Sequence, residues 1–587
     1  MILQALNEYY ERKRGSGDLA PEGFEHKEIP FVIVVDESGA FVQIDDTRRV
    51  DGKKKVGRTF LVPQAVKRSV GVAANLLWDT PEYVLGVARP GAKFERVAAQ
   101  HAAFNARIAE LAEGEDAGLR AVRTFLTGFD LAALQADPLW AELRAANPFI
   151  SFRLAADAAD TLVCQRPRVI DAIRSAGAAG RARPGLCLVR GESDGIARLH
   201  PPIKGVWGAQ TAGANIVSFN LDAFNSYGKE QSFNAPVGDR AAFAYTTALN
   251  HLLRKGSPQR MQVGDASTVF WAAGVHASRF EEDFAAVFGE AEKDDPDRHS
   301  EAVRNLYRAT DAGVYREPDA SERFCVLGLA PNAARIAVRF WYVATVGELA
   351  LHVRRHFDDL DLAKPAFEGP CLSLYRLLTS VALQGKAENV PPDLAGDTMR
   401  AILAGAPYPA MLLQAAVRRI RAEQAVGYPR AAIIKASLNR LIRQNRLSAK
   451  ELSVSLDKNN TDPAYCLGRL FATLERIQGV AQPGINATIR ERYYAAASSA
   501  PVTVFPILLK LKNHHLAKID RPGLVVMFEK LLTEIFGCID AVPPRLTLAE
   551  QGAFAIGYYH QQQAFFAPKG EAGAAVASDA DNQGEEE

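Results

Sequence analysis

From Ile29 to Val35 the chain reads Ile-Pro-Phe-Val-Ile-Val-Val, breaks at Asp36-Glu37-Ser38-Gly39, and resumes as Ala40-Phe-Val-Gln-Ile44. Two runs of β-branched and aromatic residues joined by a glycine-containing turn predict a β-hairpin. From about residue 95 to 180 the pattern changes: Ala, Leu and charged residues recur at three- and four-residue spacing, which predicts helices. The stretch Ser175 to Gly185, Ser-Ala-Gly-Ala-Ala-Gly-Arg-Ala-Arg-Pro-Gly, predicts a loop between two subdomains. Strand-like pieces follow at Leu186 to Arg190 and Asn215 to Phe219, then a helical pattern from Arg240 to Leu253. Gly264-Asp265 with the β-prone Thr268-Val-Phe-Trp271 predicts a second strand pair.

After about residue 395 strand signals nearly vanish, and Ala-, Leu- and Arg-rich periodic segments take over. Thr461-Asp462-Pro463 supplies a cap and a first-turn proline, after which Leu467, Leu470, Phe471, Leu474 and Ile477 form an apolar stripe. Leu524, Phe528, Leu531, Leu532 and Ile535 repeat that spacing up to Gly537, a helix stop. Thr547 with Glu550 makes a capping box ahead of Phe554, Ile556, Tyr558 and Tyr559. The expected fold is α+β: a mixed α/β amino-terminal region with β-hairpins, followed by a carboxy-terminal helical bundle. The expected domains are 1–180, 181–395 and 396–568, followed by a disordered acidic tail at 569–587, which lacks apolar anchors.

A chain of 587 residues exceeds what one core usually organises, so two to four domains are expected. A formal net charge of +1 exerts no global pull on a polyanion, so any nucleic-acid surface must come from local segregation of Lys and Arg. The six cysteines lie far apart without a C-x-x-C pair, which disfavours a zinc ribbon or a disulfide framework and predicts buried, reduced thiols. The amino terminus lacks the basic start and apolar core of a signal peptide, and no apolar run reaches membrane-spanning length. The cytoplasm, with no membrane partner, is the expected location.

Several chemistries find no motif. No glycine-rich loop closes on Gly-Lys-Ser/Thr, as nucleotide phosphates require, and no G-x-S-x-G elbow is present. The glycines Gly205, Gly208 and Gly213 supply backbone freedom only. His514-His515 and Asp358-Asp359 are weak metal candidates, because adjacent helical residues point to different sides. Asp358, Asp359 and Asp361 read as helix-end or turn residues. No catalytic residue, cofactor or metal is therefore expected. A metal-dependent nuclease assembled from distant residues stays an alternative, as does a helical docking protein without nucleic-acid contact.

Three constellations carry candidate binding chemistry. Lys53, Lys54, Lys55, Arg58, Lys67 and Arg68 form a basic patch just after the predicted hairpin, with Gly52 and Gly57 loosening the backbone for a loop that conforms to phosphates. Gln210, Asn220, Asn225, Ser226, Tyr227, Lys229, Gln231 and Asn234 gather amides, hydroxyls and one cation; amides read base edges and Tyr227 would stack, although such residues also close turns. Arg418, Arg419, Arg421, Arg430, Lys435, Arg440, Arg443, Arg446 and Lys450 form the densest run, with Glu423 the only acid inside it. Around Ile434, Leu438, Leu441 and Ile442 the periodicity separates an apolar stripe from a cationic face suited to phosphates, to an acidic partner, or to solvent alone.

Five stretches, in order along nearly the whole chain, resemble the large subunit of type I-C CRISPR surveillance complexes. They are Arg68-Ser-Val-Gly-Val-Ala-Ala-Asn75-Leu-Leu-Trp-Asp79, Gly208-Ala-Gln210 with Val217-Ser-Phe-Asn220, Asn225-Ser-Tyr-Gly228, Val326 to Trp341, and Gly552 to Gln561. The resemblance implies a non-catalytic subunit of an RNA-guided complex that inspects the protospacer-adjacent motif on duplex DNA and aids R-loop formation. It further implies that the subunit holds the displaced strand and helps recruit a helicase-nuclease. The implied partners are CRISPR RNA-containing Cascade subunits (backbone, guide-end-capping and small subunits), target double-stranded DNA, the displaced single strand and the helicase-nuclease effector. The carboxy-terminal helices resemble a Cascade small subunit. On this resemblance Lys53 to Arg68 would meet duplex phosphates, with Asn75 or Gln210 as base-edge contacts. Arg335 and Arg339, taken as i and i+4 on a helix, would clamp phosphate or join neighbours, and the Arg418 to Arg446 face would hold the displaced strand.

Overall fold

The predicted hairpin forms, with Phe31–Val35 antiparallel to Phe41–Asp46 and Ile33 opposite Ile44. Its turn is tied by Asp36, whose Oδ1 accepts the amides of Ser38 and Ala40 at 2.9 Å each. Gly39 has φ +84°, and a Cβ there would sit 2.6 Å from the Thr124 Cβ, so conformation and space both demand glycine. On its other side Phe31–Val35 runs parallel to Ile150–Leu154, which pairs in turn with Trp78–Asp79. A strand paired on both edges and covered on both faces reads as an unbroken apolar run rather than an alternation, and all five residues of Phe31–Val35 are buried. Ile150–Leu154 interrupts the expected helical region: five residues cannot show a period, and their partner lies more than a hundred positions away. Helices Phe94–Ala109 and Ala117–Gly128 contribute Phe104, Ile108, Val122 and Phe125 to a core shared with Phe31, Ile33 and Phe152.

The structure, a computed structural model, describes residues 2–566 apart from 52–53, 67, 69–70, 90–92, 112–115, 180–182, 220, 275–277, 289–297 and 312–320. The chain divides into one unit of residues 1–202 with 217–251 and another of 203–216 with 252–587. The loop expected from Ser175 begins later, because the alanine-rich helix Pro167–Ala179 runs through its first five residues. The tail 569–587 lies outside the described residues.

In the second unit the predicted strand pair around Gly264-Asp265 is present as Arg260–Val263 and Ala266–Ala272. It continues antiparallel into Arg323–Asn332 and Arg335–Thr345 as a four-stranded sheet. Arg335 and Arg339 therefore lie on a strand, not on the expected helix. The run Ile336 to Val343 is β-branched and aromatic at most positions, and Ala333 at φ +52° turns the hairpin. Gly328 lies under Phe340, where a Cβ would meet the ring at 2.2 Å. Thr345 and Glu348 then cap helix Val346–Leu360 reciprocally.

Beyond Thr345 the described residues form helices and connecting turns only. Helices Pro463–Ala481 and Leu548–Phe566 cross at two glycines: a Cβ on Gly468 would lie 2.0 Å from the Phe554 carbonyl oxygen, and one on Gly557 2.0 Å from that of Tyr465. Sheet and bundle share one core, from Phe270, Phe324 and Phe340 through Leu349 and Leu413 to Leu467, Phe471 and Phe554. The expected boundary at 395 falls inside this core and that at 180 inside the first unit. The architecture is α+β, as the patterning predicts. Cys164, Cys187, Cys325 and Cys466 are buried, Cys371 and Cys538 half-buried, and none is in a disulfide. Among the described residues no helix is long and apolar enough to cross a membrane.

Candidate nucleic-acid interface

Within the first basic patch Lys54 and Lys55 lie on a strand, and Arg58 in the short connection to the next one. Arg49–Asp51 and Lys54–Val56 form a small hairpin, with Val50 opposite Lys55, and Thr59–Pro63 pairs with Phe24–Glu28. Gly57 is not a flexible joint, because a Cβ there would lie 2.9 Å from the Pro30 Cα. Lys55 and Arg58 are exposed; Arg58 reaches Asp160 at 3.5 Å and lies over the Phe60 ring. Lys53 and Lys67 lie outside the described residues, and of Lys54 only the backbone is described. Arg49, which the sequence reading passed over, is exposed on the same hairpin beside the 76% exposed Val50.

Arg68 and Asn75 do different work from that expected. Arg68 Nε donates to the Ala73 carbonyl at 2.7 Å, its Nη2 pairs with the fully buried Asp79 carboxylate, and the guanidinium lies 4.2 Å from the Tyr83 ring centroid. Asn75 is buried; its Oδ1 accepts the Val66 amide at 3.0 Å and its backbone N–H donates to Asp79 Oδ2 at 2.8 Å. A side chain committed to fixing its own loop presents no edge to a base. Asn75 and Asp79 thus form a buried polar knot, closed from the exposed side by Arg68.

The second constellation divides between the units. Gln210 belongs to residues 203–216, where it is exposed in a turn near Trp207, itself 64% exposed, with its amide donating to Ser267 Oγ at 2.9 Å. Asn220 lies outside the described residues. Ser226 to Lys229, in the first unit, is a tight reversal: Tyr227 and Gly228 have φ of +51° and +68°, and the Lys229 amide donates to the Ser226 carbonyl at 2.9 Å. Two successive left-handed residues make the mirror-image turn that hairpins favour, usually with Asn-Gly rather than Tyr-Gly. Asn234 holds both arms, its Oδ1 accepting the Ser226 amide at 3.0 Å and its Nδ2 donating to the Lys229 and Gln231 carbonyls at 3.1 and 2.9 Å. The result is a Tyr227 ring 98% exposed on a braced tip, with Ser226 and Lys229 also exposed. Arg198, whose Nη1 lies 3.3 Å from Gln231 Oε1, adds a cation that the sequence reading missed.

The helical run does not form one cationic face. Helix Tyr428–Arg443 is buried on all sides from Ala431 to Arg440. Arg440 donates Nε to Asp359 Oδ2 at 2.6 Å and Nη1 to the Ala406 carbonyl at 2.7 Å, and stacks 4.1 Å from the Tyr408 centroid. Arg443 pairs with the other Asp359 oxygen and, at 3.3 Å, with Glu451. Lys435 donates to the Asp359 carbonyl at 3.2 Å, and burial pushes its ammonium below the usual range. Asp359, read as a helix-end residue, is thus the counter-ion of a buried cluster. Arg419 and Arg430 both pair with Glu423, and Arg421 reaches Gln551 at 3.4 Å. Arg418, Arg446 and Lys450 remain exposed, Lys450 paired with Asp457 at 2.8 Å. On the sheet, Arg339 pairs with Asp265 at 2.6 Å and Asp393 at 3.3 Å, and Arg335 opens its strand beside Asn215.

Periodicity could not show this burial, because a helix wrapped by others on every side has no solvent face for its cations to mark. Of the metal candidates, His514 is exposed and His515 buried, on opposite sides of helix Pro501–Leu516. Among the described residues no three His, Cys, Asp or Glu side chains gather as a metal site.

The family model for the CRISPR-associated protein Cas_Csd1 matches residues 6–566, nearly the whole chain. The chain belongs to the Csd1 family. No curated protein matches it. Most of the Csd1-like stretches named above prove architectural: the Arg68–Asp79 knot, the Gly328–Phe340 contact and the Gly557 helix crossing. Gln210, the Asn225–Lys229 segment, Arg68 and Asn332 are the exposed polar or aromatic positions among the described residues of those stretches.

Proposed function

We propose that this Csd1-family chain is the non-catalytic large subunit of an RNA-guided type I-C CRISPR interference complex. In this reading it recognises the protospacer-adjacent motif on duplex DNA, aids R-loop formation, holds the non-target strand and helps recruit the helicase-nuclease. Its partners are the CRISPR RNA-bearing backbone, guide-end-capping and small subunits.

The observation that carries the reading is the Tyr227 tip. An aromatic ring almost wholly in solvent, on a backbone conformation unfavourable for tyrosine and braced by three Asn234 hydrogen bonds, has no role in its own unit's packing. Such a ring offers a stacking surface for an unpaired base, and Lys229 and Arg198 supply charge for the adjoining phosphates. The hairpin bearing Arg49 and Lys55 supports a phosphate contact of its own. Strand holding in the helical region falls to Arg418 and Arg446, since Lys435 and Arg440 are committed internally.

The test measures motif-dependent DNA binding by the complex assembled with guide RNA. A base–aromatic stack is worth about 1–3 kcal/mol, so Tyr227→Ala should weaken binding about 5- to 150-fold. Lys55→Ala with Arg49→Ala should lower affinity on all sequences and flatten its salt dependence. Equal binding with and without this subunit would refute the proposal.

A further inference from the structure

Helix Pro463–Ala481 places Cys466 one turn before Arg469, on the same side. Arg469, fully buried, reaches across to helix Pro522–Phe536, where its Nη2 donates to Glu534 Oε1 at 2.6 Å. Four residues past Glu534 comes Cys538, whose Sγ lies 3.6 Å from the Glu534 carbonyl oxygen and 4.0 Å from that of Lys458. Cys466 Sγ lies 3.1 Å from the carbonyl oxygen of Asn460, two residues further along the same loop. Two helix turns meeting across one ion pair thus bring both sulfurs to one short stretch of backbone. Cys466 is buried, whereas Cys538 is half-buried and open to a small reagent.

We propose that Cys466 and Cys538 form an oxidisable dithiol, which a peroxide converts into a disulfide tying helix Pro463–Ala481 to the end of helix Pro522–Phe536. The Cys538 sulfur, after losing its proton, attacks one peroxide oxygen; the O–O bond breaks and the departing hydroxide takes up a proton to leave as water. The Cys538 sulfenic acid is then attacked by the Cys466 sulfur: the S–S bond forms, the S–O bond breaks, and the leaving hydroxide accepts the Cys466 proton. Two thiols and one hydrogen peroxide give one disulfide and two waters, with two electrons passing from sulfur to peroxide. Arg469 and Lys458, each paired with Glu534, tie the two helix ends together beside the sulfurs. Buried Cys466, which burial holds protonated up to about 12, acts only as the resolving thiol.

Hydrogen peroxide is added to the purified full-length chain, followed by denaturation, thiol counting and peptide mapping. The count should fall from six to four, with one linked peptide pair joining 466 to 538, and dithiothreitol should restore all six. Cys466→Ala should leave a Cys538 sulfenic acid that dimedone traps. Cys538→Ser, at the half-buried position, keeps the fold and should abolish the link. Six surviving thiols, a link between two separate chains, or sulfinic acid on Cys538 of the unaltered chain without a link to Cys466 would each overturn the proposal.

Discussion

Replacing Arg440 by glutamate is expected to break the core of the second unit, whatever it does to nucleic-acid binding. Arg440 is 3% exposed, and its partner Asp359 is buried as well. The substitution removes the 2.6 Å charge-assisted hydrogen bond to Asp359, the bond to the Ala406 carbonyl and the stacking on Tyr408, and sets a second carboxylate against Asp359. Breaking a buried pair by removing one partner costs about 3–5 kcal/mol, because the remaining charge stays desolvated. At about 2 °C per kcal/mol for a large domain, the melting transition of the second unit should fall by roughly 6–10 °C. Scanning calorimetry of the full chain reads this directly, with Arg446→Glu, an exposed site, as the control that should shift by less than about 0.5 kcal/mol. If Arg440→Glu melts together with the unaltered protein, the buried cluster does not hold the helices as described. The comparison matters for function too: a charge reversal spanning Arg440, Arg443 and Arg446 would lose DNA binding through unfolding alone, so Arg418 and Arg446 are the substitutions that interrogate a phosphate contact.

Two further outcomes follow from the packing and from the buried histidines. Gly557→Ala should lower the urea midpoint, because overpacking costs about 1–3 kcal/mol and outweighs the roughly 1 kcal/mol of helix propensity gained, the new Cβ sitting 2.0 Å from the Tyr465 carbonyl oxygen; a stabilised variant would refute the tight crossing. His200, bonded to the Tyr245 hydroxyl, is held down to about 4 by burial, and His560, bonded to Tyr465, to about 3. Both bind protons in the unfolded chain below about 6.5 but not in the folded one, so their contribution is intact above that pH. It should fall by about 1.4 kcal/mol per histidine for each pH unit between 6.5 and those lower limits. Denaturation followed against pH should therefore show a shallower acid slope in His200→Asn.

Local chemistry alone determined much of this protein. The Phe31–Asp46 hairpin, the strand pair at Gly264-Asp265, the capped helices at Asp462 and Thr547 and the α+β order were legible because period, turn and cap are properties of neighbouring residues. The ordered resemblance likewise pointed to the Csd1 family, which the match over 6–566 shows. Only the tertiary structure decided which cations are available. Arg440 and Arg446 are the same residue type in one run, yet one is sealed against Asp359 and the other is in water. The difference arises from a counter-ion some eighty positions away, which no local window contains. The same holds for Asn75, spent on its own loop, and for Arg339, moved from an expected helix to a strand whose flanking Val338 and Phe340 pair with Leu329 and Gly328. Composition marks where charge is present; whether that charge faces solvent or a buried partner is set by packing between distant segments.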